Sequence, residues 1–165
     1  MREHANEETT SVHTRMTFAA RPEQVWNRLM FYEQIDGRPP LLLRLLLPVP
    51  TGTEGRKSRI GDEARCVYED GHLIKRITDL ETGRRYRFEV VEQALSIGRG
   101  VKLAGGGYTL REVPGGGTEV TLATHYVSPA RPRWLWRRIE AAVCHGLHRH
   151  ILRSMGRNGS AEGQP

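Results

Sequence analysis

The sequence contains no apolar run near the roughly 20 residues that a membrane-spanning helix needs. Its first residues lack the basic start and apolar stretch of a secretion signal. Cysteine is scarce as well, since Cys66 and Cys144 are the only two. Two isolated thiols of this kind are more often small buried side chains than a structural disulfide. We therefore predict a cytoplasmic protein without a disulfide.

Lysine is nearly absent from a strongly basic chain. Of the 25 basic residues only Lys57, Lys75 and Lys102 are lysines, and the formal net charge is +6. The arginines are spread over the whole length, whereas nucleic-acid sites usually gather their cations in one patch. This dispersion argues against nucleic-acid binding and leaves the oligomeric state open.

The length of 165 residues fits one domain with its own core. Apolar residues are distributed over residues 10–155, whereas residues 1–9 and 156–165 are polar, small or glycine. Such ends cannot bury enough apolar surface to offset the entropy of ordering. We predict one domain over 10–155 with disordered ends.

The first half of the chain shows three kinds of hydrophobic pattern. Residues 10–18 alternate as a half-buried strand does. Pro22 stands at a helix start, with Trp26 and Leu29 at helical spacing behind it. Residues 38–50 hold six leucines between prolines; we predict a short helix there, although a strand also fits, and a loop over 51–61.

The second half predicts a run of hairpins followed by one long helix. Strand-like segments occur at 62–69, 72–80, 85–93, 100–113 and 117–127. Three consecutive glycines, 105–107, stand inside one of them, where glycine permits a bulge or bend. The final helix is predicted over 131–155. Its apolar side, predicted to pack on the sheet, carries Trp136, Ile139, Val143, Leu147 and Ile151.

Two segments carry a resemblance to a known group. Residues 12–30 (VHTRMTFAARPEQVWNRLM) and 105–127 (GGGYTLREVPGGGTEVTLATHYV) resemble the opening strand and helix, and the last hairpin, of the helix-grip superfamily. The chain is most similar to its START-like, polyketide cyclase/dehydrase (SRPBCC) members. The resemblance implies an α+β fold in which a curved antiparallel sheet of six or seven strands wraps around a long C-terminal helix, with short helices after the first strand. It also implies a cavity for lipids, sterols, polyketides or quinones.

The predicted lining of that cavity combines aromatic sheet residues with one side of the last helix. Buried tyrosines suit this role because a phenol can orient a ligand oxygen; each residue also fits a plain core position. The candidate ligand-binding residues are Trp26, Tyr68, Arg76, Phe88, Tyr108, Leu122, Thr124, Tyr126, Val143, Leu147 and His150. Arg76 can line the cavity only if its side chain points inward. The pattern of its strand is equally compatible with a solvated position.

The last helix also concentrates chemistry-bearing side chains. Cys144, His145 and His148 lie at helical spacing for a shared metal, but no second cluster completes a ligand shell, so we predict neither a metal nor a cofactor. His150 falls near the middle of the apolar side, between Val143 and Ile139 in angle, and Glu140 lies at the margin of that side. If both side chains pointed into the cavity, they could transfer a proton at a ligand carbonyl.

Three functions remain open at this stage. The leading hypothesis is binding of a small hydrophobic or amphipathic ligand, without a cofactor. One alternative is an aromatase/cyclase- or dehydratase-like enzyme acting on a polyketide. The other is docking on a membrane or RNA through arginines, for which the basic aromatic segment 131–138 (RPRWLWRR) suits a membrane interface.

Overall fold

The computed structural model describes residues 8–30 and 50–158. Within them, seven strands and two helices follow one another along the chain. They are β1 (Thr10–Phe18), α1 (Pro22–Met30), β2 (Pro50–Gly55), β3 (Glu63–Tyr68), β4 (Gly71–Glu81), β5 (Arg85–Ala94), β6 (Lys102–Val113), β7 (Gly117–Val127) and α2 (Arg133–Asn158). The predicted first strand, first helix, five hairpin strands and long last helix are therefore confirmed in that order, and β2 is an additional strand.

All seven strands form one antiparallel sheet in the order β1-β7-β6-β5-β4-β3-β2. Every pair except β1–β7 joins strands that are consecutive in the chain. The register of β6 against β7 shifts between Leu103 and Gly105, which is the bulge that the glycines predict. A Cβ atom at Gly105 or Gly107 would overlap a backbone carbonyl oxygen of β5, so only glycine fits there.

The core lies between one face of this sheet and the two helices. It consists of Val25, Trp26, Leu29, Ile77, Tyr86, Tyr108, Leu110, Val120, Leu122, Leu152 and Met155. Thr118 ties the sheet to the segment before α1, because its hydroxyl donates a 2.7 Å hydrogen bond to the Ala20 carbonyl oxygen. The sheet thus has a packed inner face and a solvated outer face, as alternation along its strands predicts.

Several predicted boundaries differ from the observed ones by one or two residues, and two differ by more. Residues 50–55 form strand β2 rather than a loop, because their backbone pairs with β3 although their side chains carry no strand pattern. Helix α2 continues through Gly156 to Asn158 instead of ending at 155. The predicted helix over 38–50 lies outside the described residues except for Pro50. No helix in the described part combines the length and apolar character that crossing a membrane requires.

Helix α2 packs on the sheet through a side that is rotated from the predicted one, although Ile151 of the predicted set does contact the core. The most deeply buried side chains of α2 are His148, Leu152 and Met155, at 1%, 0% and 1% exposure. Ile139, predicted to face the sheet, is 42% exposed. The hydrophobicity pattern misplaces the interface because polar residues of α2 are buried where the sheet offers them hydroxyl partners.

Candidate functional site

The inner face of the sheet collects most of the predicted lining residues. Cross-strand pairing aligns Leu122, Tyr108 and Tyr86 in one row and Thr124, Gly106 and Phe88 in the next. On β3, alternation with the buried Ala64 and Cys66 places Tyr68 on the same face. The predicted residues on this face are Tyr68, Phe88, Tyr108, Leu122, Thr124 and Tyr126, and Trp26 of α1 belongs to the core beside them.

These residues divide into a packed set and a half-buried set. Trp26, Tyr108, Leu122 and Tyr126 are buried and serve as core. Tyr68, Phe88 and Thr124 are only half-buried. The Phe88 ring lies 5.9 Å from that of Tyr86, centroid to centroid, at the border between the two sets. Thr124 of β7 is hydrogen-bonded to α2, so the accessible part of the inner face is the β3–β5 side that carries Tyr68 and Phe88.

Lys75 is a cation on this inner face that sequence reasoning passed over. It pairs with Ala64 on one side and Val90 on the other, between the buried Leu73 and Ile77 of its own strand. Its Nζ atom stands 4.7 Å from the centroid of the Phe88 ring, a cation–π distance. The alternation of Leu73, Lys75 and Ile77 in the sequence was the available signal.

Arg76 lies on the opposite, outer face, so the prediction that it lines the cavity is corrected. Its Nη2 atom is 2.7 Å from Glu63 Oε1, and its Nη1 atom is 3.3 Å from Glu89 Oε1. The hydrogen bond to Glu63 raises the pKa of Arg76 above its ordinary value. The arginine is half exposed and joins neighbouring strands across the outer surface, as its cross-strand pairs with the two glutamates dictate.

A histidine-centred set of hydrogen bonds holds α2 to the sheet, and we call it the His148 anchor: Thr14, Thr124, Cys144, His145 and His148. Thr14 Oγ1 lies 2.8 Å from His148 Nδ1 and 2.7 Å from His145 Nδ1. Thr124 Oγ1 lies 2.7 Å from His148 Nε2, and Cys144 Sγ lies 3.4 Å from the same nitrogen. Both ring nitrogens of His148 are thus satisfied by residues of β1, β7 and α2.

Burial governs the acid–base properties of this anchor. Desolvation, with His145 and His13 adding to it, lowers the pKa of His148 to about 4. Desolvation likewise raises the pKa of Cys144 to about 11, against a hydrogen bond with Thr124. Both groups are therefore neutral near pH 7. The buried histidine is His148 rather than His150, which follows two residues later and projects about 160° away around the helix.

The contacts of the anchor also show which side of α2 overlooks the rest of the sheet. His145 contacts β1 through Thr14, whereas Cys144 and His148 contact β7 through Thr124. Going around the helix axis from His145 to His148, the next side is half-buried. It carries Leu147 and Val143. In the sheet order, β6 and β5 come after β7. These two predicted residues are therefore on the side of α2 that overlooks the concave face.

A polar cluster closes one end of this space. The Glu140 carboxylate accepts hydrogen bonds from the Ser128 hydroxyl and from Arg133 Nη1, the latter at 3.2 Å. Burial, followed by the charge of Glu140, raises the pKa of the Tyr126 phenol to about 12. The phenol lies near that carboxylate, but its hydroxyl makes no hydrogen bond of ordinary geometry to any described residue. Tyr126 is thus a buried, neutral donor.

Several solved structures share this architecture over their whole length. A Zhui aromatase/cyclase from Streptomyces sp. R1128 matches with a TM-score of 0.64 at 16% identity, over 96% of this chain and 100% of that one. The protein TTHA0849 from Thermus thermophilus matches with a TM-score of 0.63 at 16% identity, over 94% and 100%. The chain has the helix-grip fold. Ara h 8.0201 shares it, with a TM-score of 0.59 at 10% identity over 94% and 100%. No protein-family model and no curated sequence matches the chain.

Two cavities flank the sheet of this helix-grip domain. One, of ≈ 400 Å³, is lined by residues of 90–103 around the β5–β6 connection. The other, of ≈ 300 Å³, opens on the outer face beside His13, Arg87 and His125. Within residues 8–30 and 50–158, no group of three or more His, Cys, Asp or Glu side chains is arranged to hold a metal ion.

Proposed function

We propose that this protein binds a small hydrophobic or amphipathic molecule between the β3–β5 side of its concave face and the Val143–Leu147 side of α2. The observation that carries the proposal is that apolar side chains stay half-buried on both elements, Phe88 and Tyr68 on the inner face of the sheet and Val143 and Leu147 on α2. Covering such surfaces stabilises a complex by about 25 cal/mol per Å² of apolar area. Ligand burial of this kind suits a helix-grip domain.

The chemistry of the site favours an amphipathic ligand with an anionic or carbonyl oxygen. Lys75 places a positive charge beside the Phe88 ring on an otherwise apolar surface. A ligand that lays its apolar body on Phe88 would bring an oxygen within reach of the ammonium group. Tyr126 offers a second, neutral donor at the Glu140 end.

Binding is favoured over polyketide chemistry by the positions of the groups that proton transfer would require. Arg76 is on the outer face. His150 lies on the Val143 side of α2, but its ring makes no hydrogen bond to a described residue that would orient it as a base. The Glu140 carboxylate is already held by Ser128 and Arg133. The likeness to an aromatase/cyclase extends to the fold, and its reaction is that protein's own.

Phe88→Ser is expected to weaken binding of the neutral apolar dye Nile red by at least about tenfold, because it removes a half-buried aromatic ring of the site. The measurement is a fluorescence titration of the folded protein. Val91→Ser is the matched control, since it changes an exposed apolar residue of the same strand.

The two variants distinguish a ligand at the concave site from a ligand in the cavity at the β5–β6 connection. Loss of binding in Phe88→Ser with retention in Val91→Ser supports the concave site. Loss in Val91→Ser alone would move the ligand to the cavity at the β5–β6 connection, which Val91 helps to line. Absence of Nile red, lipid, quinone and polyketide binding by the unaltered protein would contradict the proposal altogether.

Lys75→Met is expected to discriminate between ligands rather than abolish binding. Methionine keeps the apolar stem and removes the charge, so an anionic amphiphile such as laurate should bind about tenfold more weakly. The affinity for Nile red should stay within about twofold. Equal losses for laurate and Nile red would show that Lys75 acts through packing and not through charge.

A further inference from the structure

The first turns of α2 expose apolar side chains that the core leaves uncovered. Trp134 is 70% exposed, Leu135 is 39% exposed and Ile139 is 42% exposed. Single exposed apolar residues are ordinary, whereas three within six residues of one helix form a patch. We call Trp134, Leu135 and Ile139 the apolar patch.

Several exposed arginines lie next to this patch in the chain. Arg131, Arg137 and Arg138 are exposed, and none forms an ion pair with another described residue. Glu140 is the only acidic residue of α2, and it points inward to Ser128 and Arg133. The exposed side of α2 is therefore uniformly positive, and Arg149 and Arg153 extend that charge toward its C-terminal end.

Arg99 adds a further cation at the same end of the domain. It belongs to the β5–β6 connection, and its guanidinium carbon lies 4.8 Å from the centroid of the half-buried Trp136 ring. This cation–π contact brings the connection against the start of α2. The surface is thus built from two segments rather than from one helix alone.

The combination of apolar and cationic side chains identifies the kind of partner. A nucleic acid would be bound by arginines and stacking aromatic rings, and it gives no reason for exposed leucine and isoleucine. An anionic lipid surface accommodates all of them: aliphatic groups enter the acyl boundary, tryptophan lies at headgroup depth and arginines contact lipid phosphates.

We propose that the apolar patch and the arginines around it dock this protein on an anionic lipid bilayer, with the start of α2 lying in the interface. The inference is independent of the proposed ligand, because it uses exposed side chains at the start of α2 that do not line the proposed ligand site. The affinity should fall with rising salt, since the arginines contribute through charge.

The test is flotation of the full chain with vesicles made of equal amounts of phosphatidylglycerol and phosphatidylcholine. We expect co-flotation, and a blue shift of tryptophan emission that is lost in Trp134→Phe. Leu135→Ser combined with Ile139→Ser should weaken binding at least about tenfold. Arg137→Ser combined with Arg138→Ser should weaken it on the order of thirty-fold.

A matched control removes the same charge elsewhere. Arg15→Ser combined with Arg87→Ser takes two exposed arginines from the outer face of the sheet and should leave flotation nearly unchanged. All substituted positions are exposed, so circular dichroism of each variant should match that of the unaltered chain.

Other results would overturn the inference. Equal weakening by both arginine pairs would indicate attraction governed by net charge alone. Unchanged flotation of the Leu135, Ile139 variant would exclude insertion. Failure to float, together with binding of poly(U) RNA that the Leu135 and Ile139 changes leave intact, would assign the surface to RNA instead.

Discussion

Leu152→Ala is expected to lower the free energy of unfolding by about 3 kcal/mol. Leu152 is completely buried between α2 and the sheet, and truncation of such a leucine removes transfer free energy and leaves a cavity. The measurement is urea unfolding followed by circular dichroism. The same change should leave the slope of the unfolding transition unaltered, because the unfolded chain exposes nearly the same surface.

Ile139→Ala provides the comparison on the same helix. This residue lies on the side of α2 that hydrophobic periodicity predicts to be buried, but it is exposed, so its loss should cost no more than about 0.5 kcal/mol. Equal destabilisation by the two changes would contradict the orientation of α2 described above.

Acidification is expected to destabilise the protein through His148 by about 3 kcal/mol. Its pKa is lowered to about 4 in the folded state, against an ordinary value of 6.5. Below pH 6.5 the His148 imidazole is protonated in the unfolded chain, whereas in the folded chain it stays neutral down to about pH 4. The stabilisation is therefore complete above pH 6.5 and is lost as the pH falls through this window, at 1.36 kcal/mol per unit of pKa difference.

His148→Gln isolates this contribution. Glutamine retains one donor group and one acceptor group but does not titrate. The difference in unfolding free energy between the unaltered protein and the variant should shrink by about 3 kcal/mol between neutral pH and pH 4. All other ionisable groups are common to both proteins. A difference that is independent of pH would show that His148 does not titrate as its burial requires.

Much of the fold follows from periodicity alone. Residues 10–18 alternate in burial as their sequence alternates, and α1 begins at Pro22 as its helix-start pattern predicts. The glycines 105–107 correctly mark the position at which β6 bulges and approaches β5 closely. These features are determined by residues that are close together in the sequence, so short-range patterns are sufficient to predict them.

The misplaced features depend on partners that are distant in sequence. His148 is buried because Thr14 of β1 and Thr124 of β7 supply hydroxyl partners. The residue pattern of α2 alone does not predict these partners. Strand β2 forms because β3 offers a free edge, not because its own side chains alternate. Lys75 alternates with Leu73 and Ile77 in the sequence, but its contact with Phe88 depends on the neighbouring strand β5.

The His148 anchor has a consequence for the rate at which a ligand exchanges. Lifting or sliding α2 would leave two imidazoles and two hydroxyls without their partners, at about 1–3 kcal/mol for each group that stays buried. The wall bearing Val143 and Leu147 is thus fixed relative to β1 and β7. A bound molecule would enter and leave past the β3–β5 side of the sheet, and its residence time would be set there rather than by movement of the helix.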